Sequence, residues 1–234
     1  MPHCQYQDKI VNKTKTKLLT VDREQVLTNC SRLNTLDRVS DFNYLGSLIT
    51  NDGNCDSEIK RRIQIAKSAM TKLEKIWKNT NITKRTKVRL VHALVFPIFL
   101  YGSETWTIKA NLKTRIDAFE MWIWRKMLRI PWTAFRRNES ILNELKIFVR
   151  LSDICRSRML KFLGHIARSG PESLEKHILM GKVEGKRRRG RAPARWCDQT
   201  QSYLQLRLHE ALHTAADRST WRTLSRPNHN AVID

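Results

Sequence analysis

Residues 56–77 read DSEIKRRIQIAKSAMTKLEKIW, and this stretch decides how most of the chain folds. Its apolar side chains recur at intervals of three or four residues, at Ile59, Ile63, Ala66, Met70, Leu73 and Trp77. This is the period of an α-helix with one apolar face, and most of the lysines and arginines avoid that face. The stretch therefore predicts a helix that packs on one side and presents cations on the other.

Two further helices are predicted on the C-terminal side of this stretch. One begins at the cap Thr83 and carries an apolar stripe as far as Pro97, which we expect to kink or end it. The other extends over 112–130 and stops at Pro131. Together with the first helix, they predict a three-helix bundle.

Beyond this bundle the helical pattern continues in shorter segments. Helices are predicted over 139–145 and 151–168, and Ser169-Gly170-Pro171 ends the second. Residues 182–195 then read KVEGKRRRGRAPAR, with seven cations against one glutamate. We expect this segment to be an exposed, flexible basic arm. A last amphipathic segment leads to Trp221, and the final ten residues are expected to be frayed.

The first fifty residues have the pattern of β-strands. The strand-like runs are KLLTV at 17–21 and FNYLGSLIT at 42–50. The second run closes on Asn51-Asp52-Gly53, which is a hairpin or strand-end signal. The predicted fold is therefore mainly α, with a small antiparallel β-sheet before the bundle and further short helices after it.

The charge of the chain indicates the class of its partner. The chain has 44 lysines and arginines against 22 aspartates and glutamates, which gives a net charge of +22. This balance excludes an ordinary near-neutral metabolic enzyme as the default and favours a polyanion, either nucleic acid or an anionic membrane surface. The most apolar stretch, 90–102, contains His92 and Pro97 and is too short for a membrane span. We expect a soluble, intracellular protein of the nucleus or cytoplasm, with nucleic acid as its partner and no membrane.

Several residue groups are candidates for binding. The arm sequence KRRRGR favours non-specific contact with nucleic acid or a nuclear-import signal, and the alternative is a solvated linker without a partner. Trp196 either stacks on a base or docks the arm onto the preceding helices. For the aromatic group, helical spacing favours core packing over a base-stacking platform. Its members are Phe119, Trp122, Trp124 and Trp132.

The sequence contains no complete active site. Nucleotidyl transfer needs two or three carboxylates that converge on metal ions, and the chain has no Asp-Asp pair and no DxD. His165 has no nucleophile at a recognisable spacing, and the pair His209 and His213 lacks the HExxH arrangement. Five scattered cysteines without a CxxC pair encode neither a zinc site nor a disulfide framework. No catalytic residue, metal ligand or cofactor is predicted.

Six blocks of the chain, in order, resemble segments of reverse transcriptases from non-LTR (LINE-like) retrotransposons. The blocks are FNYLGSLIT at 42–50 with SEIKRRI at 57–63, LYGSETW at 100–106, FEMW at 119–122 with RKML at 125–128, LGHIAR at 163–168, GKRRRGRAPARWCD at 185–198 and ADRSTWR at 216–222. Together they cover about the whole chain. One departure is that Ala192 stands where the family has a proline.

The resemblance implies a C-terminal fragment of such an enzyme. Residues 11–17 resemble the end of the palm, and 42–50 resemble the primer-grip strand. The family's catalytic aspartates are expected before Lys13, so this chain alone is expected to be inactive; Mg²⁺ belongs only to the intact family enzyme, and no small-molecule substrate is expected. The implied division is 1–53 palm remnant, 54–131 thumb-like domain, 132–181 helical region, 182–198 basic arm, 199–224 C-terminal helices and 225–234 disordered tail.

The resemblance also implies individual roles. Tyr44, Leu45, Gly46 and Ser47 match residues that position a primer terminus, and we expect this role to be vestigial here. Contact with RNA or an RNA·DNA duplex is expected of a set of basic residues, through the backbone, and of Trp196, through a base. They are Lys13, Lys15, Lys17, Lys60, Arg61, Lys67, Lys186, Arg187, Arg188, Arg189, Arg191, Arg195 and Trp196.

Three functions stay open at this point. The first is a truncated reverse transcriptase that keeps nucleic-acid-binding surfaces without catalysis. The second is one piece of a longer protein whose upstream part supplies the metal site. The third is a non-catalytic helical interaction module, or a relic without specific binding, in which loss of the palm exposes apolar surface around Tyr44 and Leu48.

Overall fold

The computed structural model describes residues 16–21, 36–181 and 195–227. The chain divides into two units, Met1–Glu58 and Ile59–Asp234. The described residues are mainly helical with two short strand pairs, which confirms the predicted fold class at that level. Within them, no helix combines the length and the apolar character that crossing a bilayer requires.

The first unit contains both strand pairs. Strand β1, Lys17–Leu18, pairs in parallel with β2, Asp37–Arg38. Strand β3, Asp41–Tyr44, pairs antiparallel with β4, Ser47–Thr50. The predicted antiparallel sheet is therefore right for the second pair and wrong for the first. A strand-like run carries no information on the direction of its partner, and the sequence could not supply it.

The second pair is a hairpin that the sequence did not predict. Tyr44 lies opposite Ser47, so the connection has only two residues. Both adopt left-handed backbone, with φ +47° at Leu45 and +82° at Gly46, as the tight hairpin turns that match strand twist require. The expectation of a single strand over 42–50 is wrong, because this turn divides the run into two strands. The sequence did not reveal the turn, since leucine rarely occupies its first position. The turn expected at 51–53 is confirmed, since the Gly53 amide donates to the Thr50 carbonyl at 3.0 Å.

We predict that Leu45→Asn stabilises this hairpin. Asparagine tolerates left-handed backbone where leucine is strained, and we expect a gain of about 0.5–1 kcal/mol. Hydrogen exchange at the Tyr44 and Ser47 amides should become slower. Unchanged or faster exchange at these amides would contradict a strained turn.

Eleven α-helices follow among the described residues. They are α1 Asp56–Lys72, α2 Glu74–Lys78, α3 Lys84–Leu90, α4 Phe96–Phe99, α5 Ala110–Leu128, α6 Asn138–Leu145, α7 Leu151–Arg168, α8 Leu174–Leu179, α9 Trp196–Leu204, α10 Leu208–Thr214 and α11 Arg218–Leu224. The helices predicted over 112–130, 139–145 and 151–168 correspond to α5, α6 and α7. Helix α9 begins inside the range predicted to be the basic arm.

The first predicted helix is divided in two. The apolar stripe of 56–77 is continuous, but the structure has a break at Leu73, between α1 and α2. The indole N–H of Trp77 donates to the Met70 carbonyl at 2.8 Å, and Lys87 Nζ donates to the Trp77 carbonyl at 2.8 Å. These buried bonds satisfy backbone groups near the break and join α1, α2 and α3. Because the break divides the segment into α1 and α2, the prediction of one unbroken helix is wrong.

The second predicted helix begins as expected. The Thr83 hydroxyl accepts from the Thr86 amide at 3.2 Å, which confirms the cap. The helix passes through a π-helical turn at Val91–Val95 into α4, which ends at Phe99. Pro97 is the second residue of α4, so the helix ends two residues after the proline that was expected to kink or end it.

The core of the second unit is built on α5 and α7. Eight residues of α5 are buried, and α7 packs against it. At the far end of α7 lies a cluster that we call the C-terminal cluster, formed by Leu160, Leu163, Ala211, Ala215 and Trp221. The indole N–H of Trp221 donates to the Leu160 carbonyl at 2.9 Å. Gly164 faces this indole, and a Cβ atom at that position would lie 2.2 Å from Trp221 Nε1.

Candidate nucleic-acid interface

A groove between α1 and α5 brings cations and aromatic rings together. It has a volume of about 280 Å³. Its lining residues come from one face of each helix and are Lys60, Ile63, Gln64, Lys67, Arg115, Ala118, Phe119 and Trp122. Spacings of three, four and seven residues place them on those faces. The stripe that buries Ile63 therefore leaves Lys60 and Lys67 at its edge, facing α5.

The floor of this groove is aromatic. Lys67 Nζ lies 5.2 Å from the centroid of the Trp122 ring, which is a cation–π distance. The Trp122 and Phe119 rings are stacked, with centroids 6.5 Å apart and planes at 16°. Phe119 is buried, whereas Trp122 is half-buried. A ligand in the groove would meet the Trp122 indole and a positive charge at the same place.

The charge of the groove is not neutralised within the described part of the chain. Lys60 and Arg115 are exposed and Lys67 is half-buried. No carboxylate among residues 36–181 and 195–227 forms an ion pair with any of these three. Clustered cations without a counter-charge attract an anion, and phosphate is the anion that such side chains bind in nucleic acid.

A second groove continues in the same direction. Its lining residues are Glu74, Trp77, Lys78, Arg125, Lys126, Arg129, Ile130 and Pro131, from α2 and the end of α5. Glu74 is paired with Lys78 at 3.0 Å. Since α1 meets the start of α5 and α2 meets its end, the two grooves form one line, which we call the α1–α5 seam. From Arg115 to Arg129 it extends roughly 21 Å at 1.5 Å per residue, or about six base-pair steps of 3.4 Å.

The seam includes two of the residues that the sequence singled out on α1. Lys60 and Lys67 line it, as described above. Arg61 does not, because one residue along a helix corresponds to about 100° of rotation. Arg61 is half-buried and interacts with other parts of the chain.

The remaining predicted residues lie elsewhere. Lys17 is exposed on β1, and Tyr44 and Leu45 are 56% and 74% exposed at the hairpin. Ser47 begins β4 and is half-buried. All of these belong to the first unit. The predicted residues that lie outside the described ranges are Lys13, Lys15, Lys186, Arg187, Arg188, Arg189 and Arg191.

The residues just before and at the start of α9 are anchored to the body of the second unit. Arg195 Nη2 lies 3.0 Å from Asp198 Oδ1. The Trp196 indole N–H donates to the Glu104 carbonyl at 2.9 Å, and Gln199 bonds both the amide and the carbonyl of Ile108. For Trp196 this is the docking arrangement that the sequence left open beside base stacking.

The structure corrects part of the expectation for the aromatic group and adds one residue to the candidate site. Core packing is confirmed for Phe119 and Trp124, which are 3% and 0% exposed. It is wrong for Trp132, which is 82% exposed, because the helical stripe has already ended at Pro131. Core packing is not confirmed for Trp122, which is half-buried and lines the groove, and Arg115 beside it was not among the predicted residues. Only the pairing of α5 with α1, more than fifty residues away, gives them that position.

Buried ionisable groups outside the seam have structural roles. Glu120 is fully buried beside Arg150, whose Nε donates to its carboxylate at 2.7 Å. Burial raises the pKa of the Glu120 carboxyl, and the charge of Arg150 opposes that rise. Burial also raises the pKa of the Cys155 thiol. Across the described ranges, no three His, Cys, Asp or Glu side chains are grouped in a way that could hold a metal ion.

Comparison with known proteins gives one informative similarity. The chain is 28% identical, over 235 residues, to an uncharacterized transposon-derived protein of Caenorhabditis elegans. The aligned region covers 93% of this chain and 83% of that protein. Neither a family model nor a solved structure matches the chain. The similarity supports a transposon-related origin.

Proposed function

We propose that this chain is a nucleic-acid-binding protein derived from the reverse transcriptase of a retrotransposon, and that the α1–α5 seam holds the backbone of an RNA·DNA duplex. The observation that carries the proposal is the groove in which Lys60, Lys67 and Arg115 surround a half-buried Trp122 without a neutralising carboxylate. Binding, rather than polymerisation, is the activity proposed for this chain. The transposon-derived relative supports a transposon-related origin, and the reverse-transcriptase part of the proposal rests on the resemblance of the sequence blocks.

The physical basis of the binding is counterion release. Each phosphate that a lysine or arginine neutralises frees condensed cations, and the affinity then falls steeply with salt. A seam that extends over about six base-pair steps contacts several phosphates of one strand. The choice of a hybrid duplex rests on the resemblance of residues 54–131 to a thumb, since seam residues 60–78 and 115–131 lie within that range.

The alternative, a protein-interaction module, is favoured by one observation. Helix α8 and the residue after it expose a row of apolar side chains, with Leu174, Ile178 and Met180 at 70%, 57% and 47%. Exposed apolar rows of this kind mark contact surfaces for other proteins. This function makes no demand on the cations of the seam, so the experiment below separates the two.

We predict that the triple variant Lys60→Ala, Lys67→Ala, Arg115→Ala loses most of its affinity for a blunt RNA·DNA hybrid. Three lost phosphate contacts should make the slope of log K against log salt shallower by about two to three. At about 0.1 M salt this corresponds to roughly a hundredfold weaker binding. Titration by fluorescence anisotropy at several salt concentrations measures both quantities.

The matched control removes the same charge elsewhere. Lys161, Arg218 and Arg222 are exposed on α7 and α11, and their replacement by alanine should change the slope by less than one unit if only the general field is altered. Equal losses in the two triple variants would show that net charge alone binds the hybrid. That result would contradict a binding site at the seam.

A further inference from the structure

The loop between α5 and α6 presents two aromatic side chains to solvent. Trp132 is 82% exposed and Phe135 is 85% exposed, the highest values among the large hydrophobic side chains of the described residues. Trp132 begins a 3₁₀ turn that ends at Ala134, and Phe135 follows it. Burying either ring would stabilise the fold, so full exposure of both is unfavourable unless something covers them.

The exposure of these rings is not the result of a loose loop. Arg125 Nη2 donates to the Arg136 carbonyl at 2.6 Å and to Asn138 Oδ1 at 2.9 Å. Arg136 in turn is paired with Glu144 at 2.5 Å. The loop is therefore tied to both flanking helices, α5 and α6. A surface that is held in place loses little entropy when a ligand binds.

The backbone at Phe135 is itself unusual. Its φ is +47°, in the left-handed region. Bulky side chains rarely adopt this conformation, and strained residues of this kind persist where the surrounding structure enforces them. Here the conformation holds a large apolar ring in water. Strain and exposure together indicate a ligand-binding role for the loop.

Position and charge indicate which ligand. The loop begins at Pro131, which lines the seam together with Arg129. Arg129 and Arg137 are exposed on either side of the two rings. Aromatic faces interleaved with cations are the arrangement that binds single-stranded nucleic acid, with bases stacked on the rings and phosphates near the cations.

We propose that Trp132 and Phe135 stack on unpaired bases of a single strand that continues from the duplex in the α1–α5 seam. This inference rests on the proposed function and adds to it a preferred substrate, a duplex with a single-stranded extension. Stacking on an aromatic side chain tolerates any base, so the extension is recognised without sequence preference.

The test compares a blunt RNA·DNA hybrid with the same hybrid carrying a short single-stranded tail. The wild-type chain should bind the tailed hybrid about tenfold or more tightly. The variant Trp132→Ala, Phe135→Ala should lose this preference and keep its affinity for the blunt hybrid, whereas Trp132→Phe should retain most of it. A tail of abasic nucleotides, which has the phosphates without the bases, should recover only a small part of the preference.

A matched control and a direct readout complete the design. Leu174→Ala, Ile178→Ala also removes two exposed apolar side chains and should leave the tail preference unchanged. A 2-aminopurine in the tail reports stacking through its fluorescence, which should change on binding to the wild type and not to the double alanine variant.

Two results would overturn the stacking proposal and leave the seam intact. One is equal affinity of the wild type for tailed and blunt hybrids with a steep salt dependence for both, which would favour a protein partner for the loop. The other is full retention of the preference with abasic tails. Failure of the wild type to bind any hybrid would overturn the proposed function as well.

Discussion

Gly164→Ala is expected to destabilise the second unit by about 3 kcal/mol or more. The added Cβ would lie 2.2 Å from Nε1 and 2.4 Å from Cδ1 of Trp221, closer than atoms approach without moving. Trp221 is fixed by its hydrogen bond to the Leu160 carbonyl, so the ring cannot turn aside freely. In an exposed helix interior the same change would stabilise a protein by about 1 kcal/mol, because alanine has a higher helix propensity than glycine. A net loss of stability would therefore have to come from the contact with Trp221. Urea unfolding measures it.

Gly170→Ala is the control for this substitution. No atom lies within 4 Å of a Cβ at position 170, and we expect little change in stability. In the background Trp221→Phe, which lacks Nε1, the cost of Gly164→Ala should be smaller, because the two sites are coupled through one contact. The packing explanation is wrong if Gly164→Ala is tolerated as well as Gly170→Ala.

Arg150→Met is expected to have the second large effect, a loss of about 3–5 kcal/mol, since it leaves a buried carboxylate without its counter-charge. The Glu120 side chain is 1% exposed, and Arg150 is its ion-pair partner at 2.7 Å. The pair joins α5 to the start of α7. Because α7 also contacts α8, α10 and α11, its detachment affects all of the C-terminal helices.

The stability of Arg150→Met should also depend on pH. Burial raises the pKa of the Glu120 carboxyl, and Arg150 limits that rise. The folded state therefore holds this proton more readily than the unfolded state, so this group favours folding below its ordinary pKa and less so as the pH rises through the raised value. Removing Arg150 should enlarge that decrease.

The measurement is the urea midpoint between about pH 4 and pH 8, on either side of the ordinary range of a glutamic acid. The midpoint of Arg150→Met should fall with rising pH more than that of the wild type. The double variant Glu120→Gln, Arg150→Met, which has no carboxyl to ionise, serves as the control and should lack the additional fall. A parallel pH dependence in all three proteins would refute this role for Glu120.

The elements that were predicted correctly are those whose sequence signals lie within a few neighbouring residues. Helix α7 begins at Leu151 and ends at Arg168, as expected, because an apolar stripe and the following Ser169-Gly170-Pro171 mark it. The cap at Thr83 is likewise visible in a few residues. By contrast, the break at Leu73 depends on a tryptophan that bonds back to Met70 and on a lysine from the next helix. A continuous apolar stripe cannot reveal such bonds.

The residues of the candidate site were likewise predicted only in part. Lys60 and Lys67 stood out because they lie off the apolar stripe of their own helix. Arg115 and Trp122 gain their meaning only from the helix beside them, and Glu120 only from a partner thirty residues away. Trp132 was assigned to the core by the helical spacing of the aromatic group, although the proline before it had already ended the helix. The pattern within one segment of sequence contains no information on its contacts with distant segments.

The anchored start of α9 has a consequence for the basic residues at 186–191. They lie between Gly181, which follows α8, and Arg195, which precedes α9, and Trp196 and Gln199 bond the latter end to the backbone at Glu104 and Ile108. If both these residues and the seam bind nucleic acid, as the proposed function and the sequence predict, they belong to one bivalent binder. Contact with residues 186–191 would then be an intramolecular step once a nucleic acid lies in the seam, governed by an effective concentration that the segment length sets. The two contributions to affinity then multiply, and dilution of the protein does not separate them.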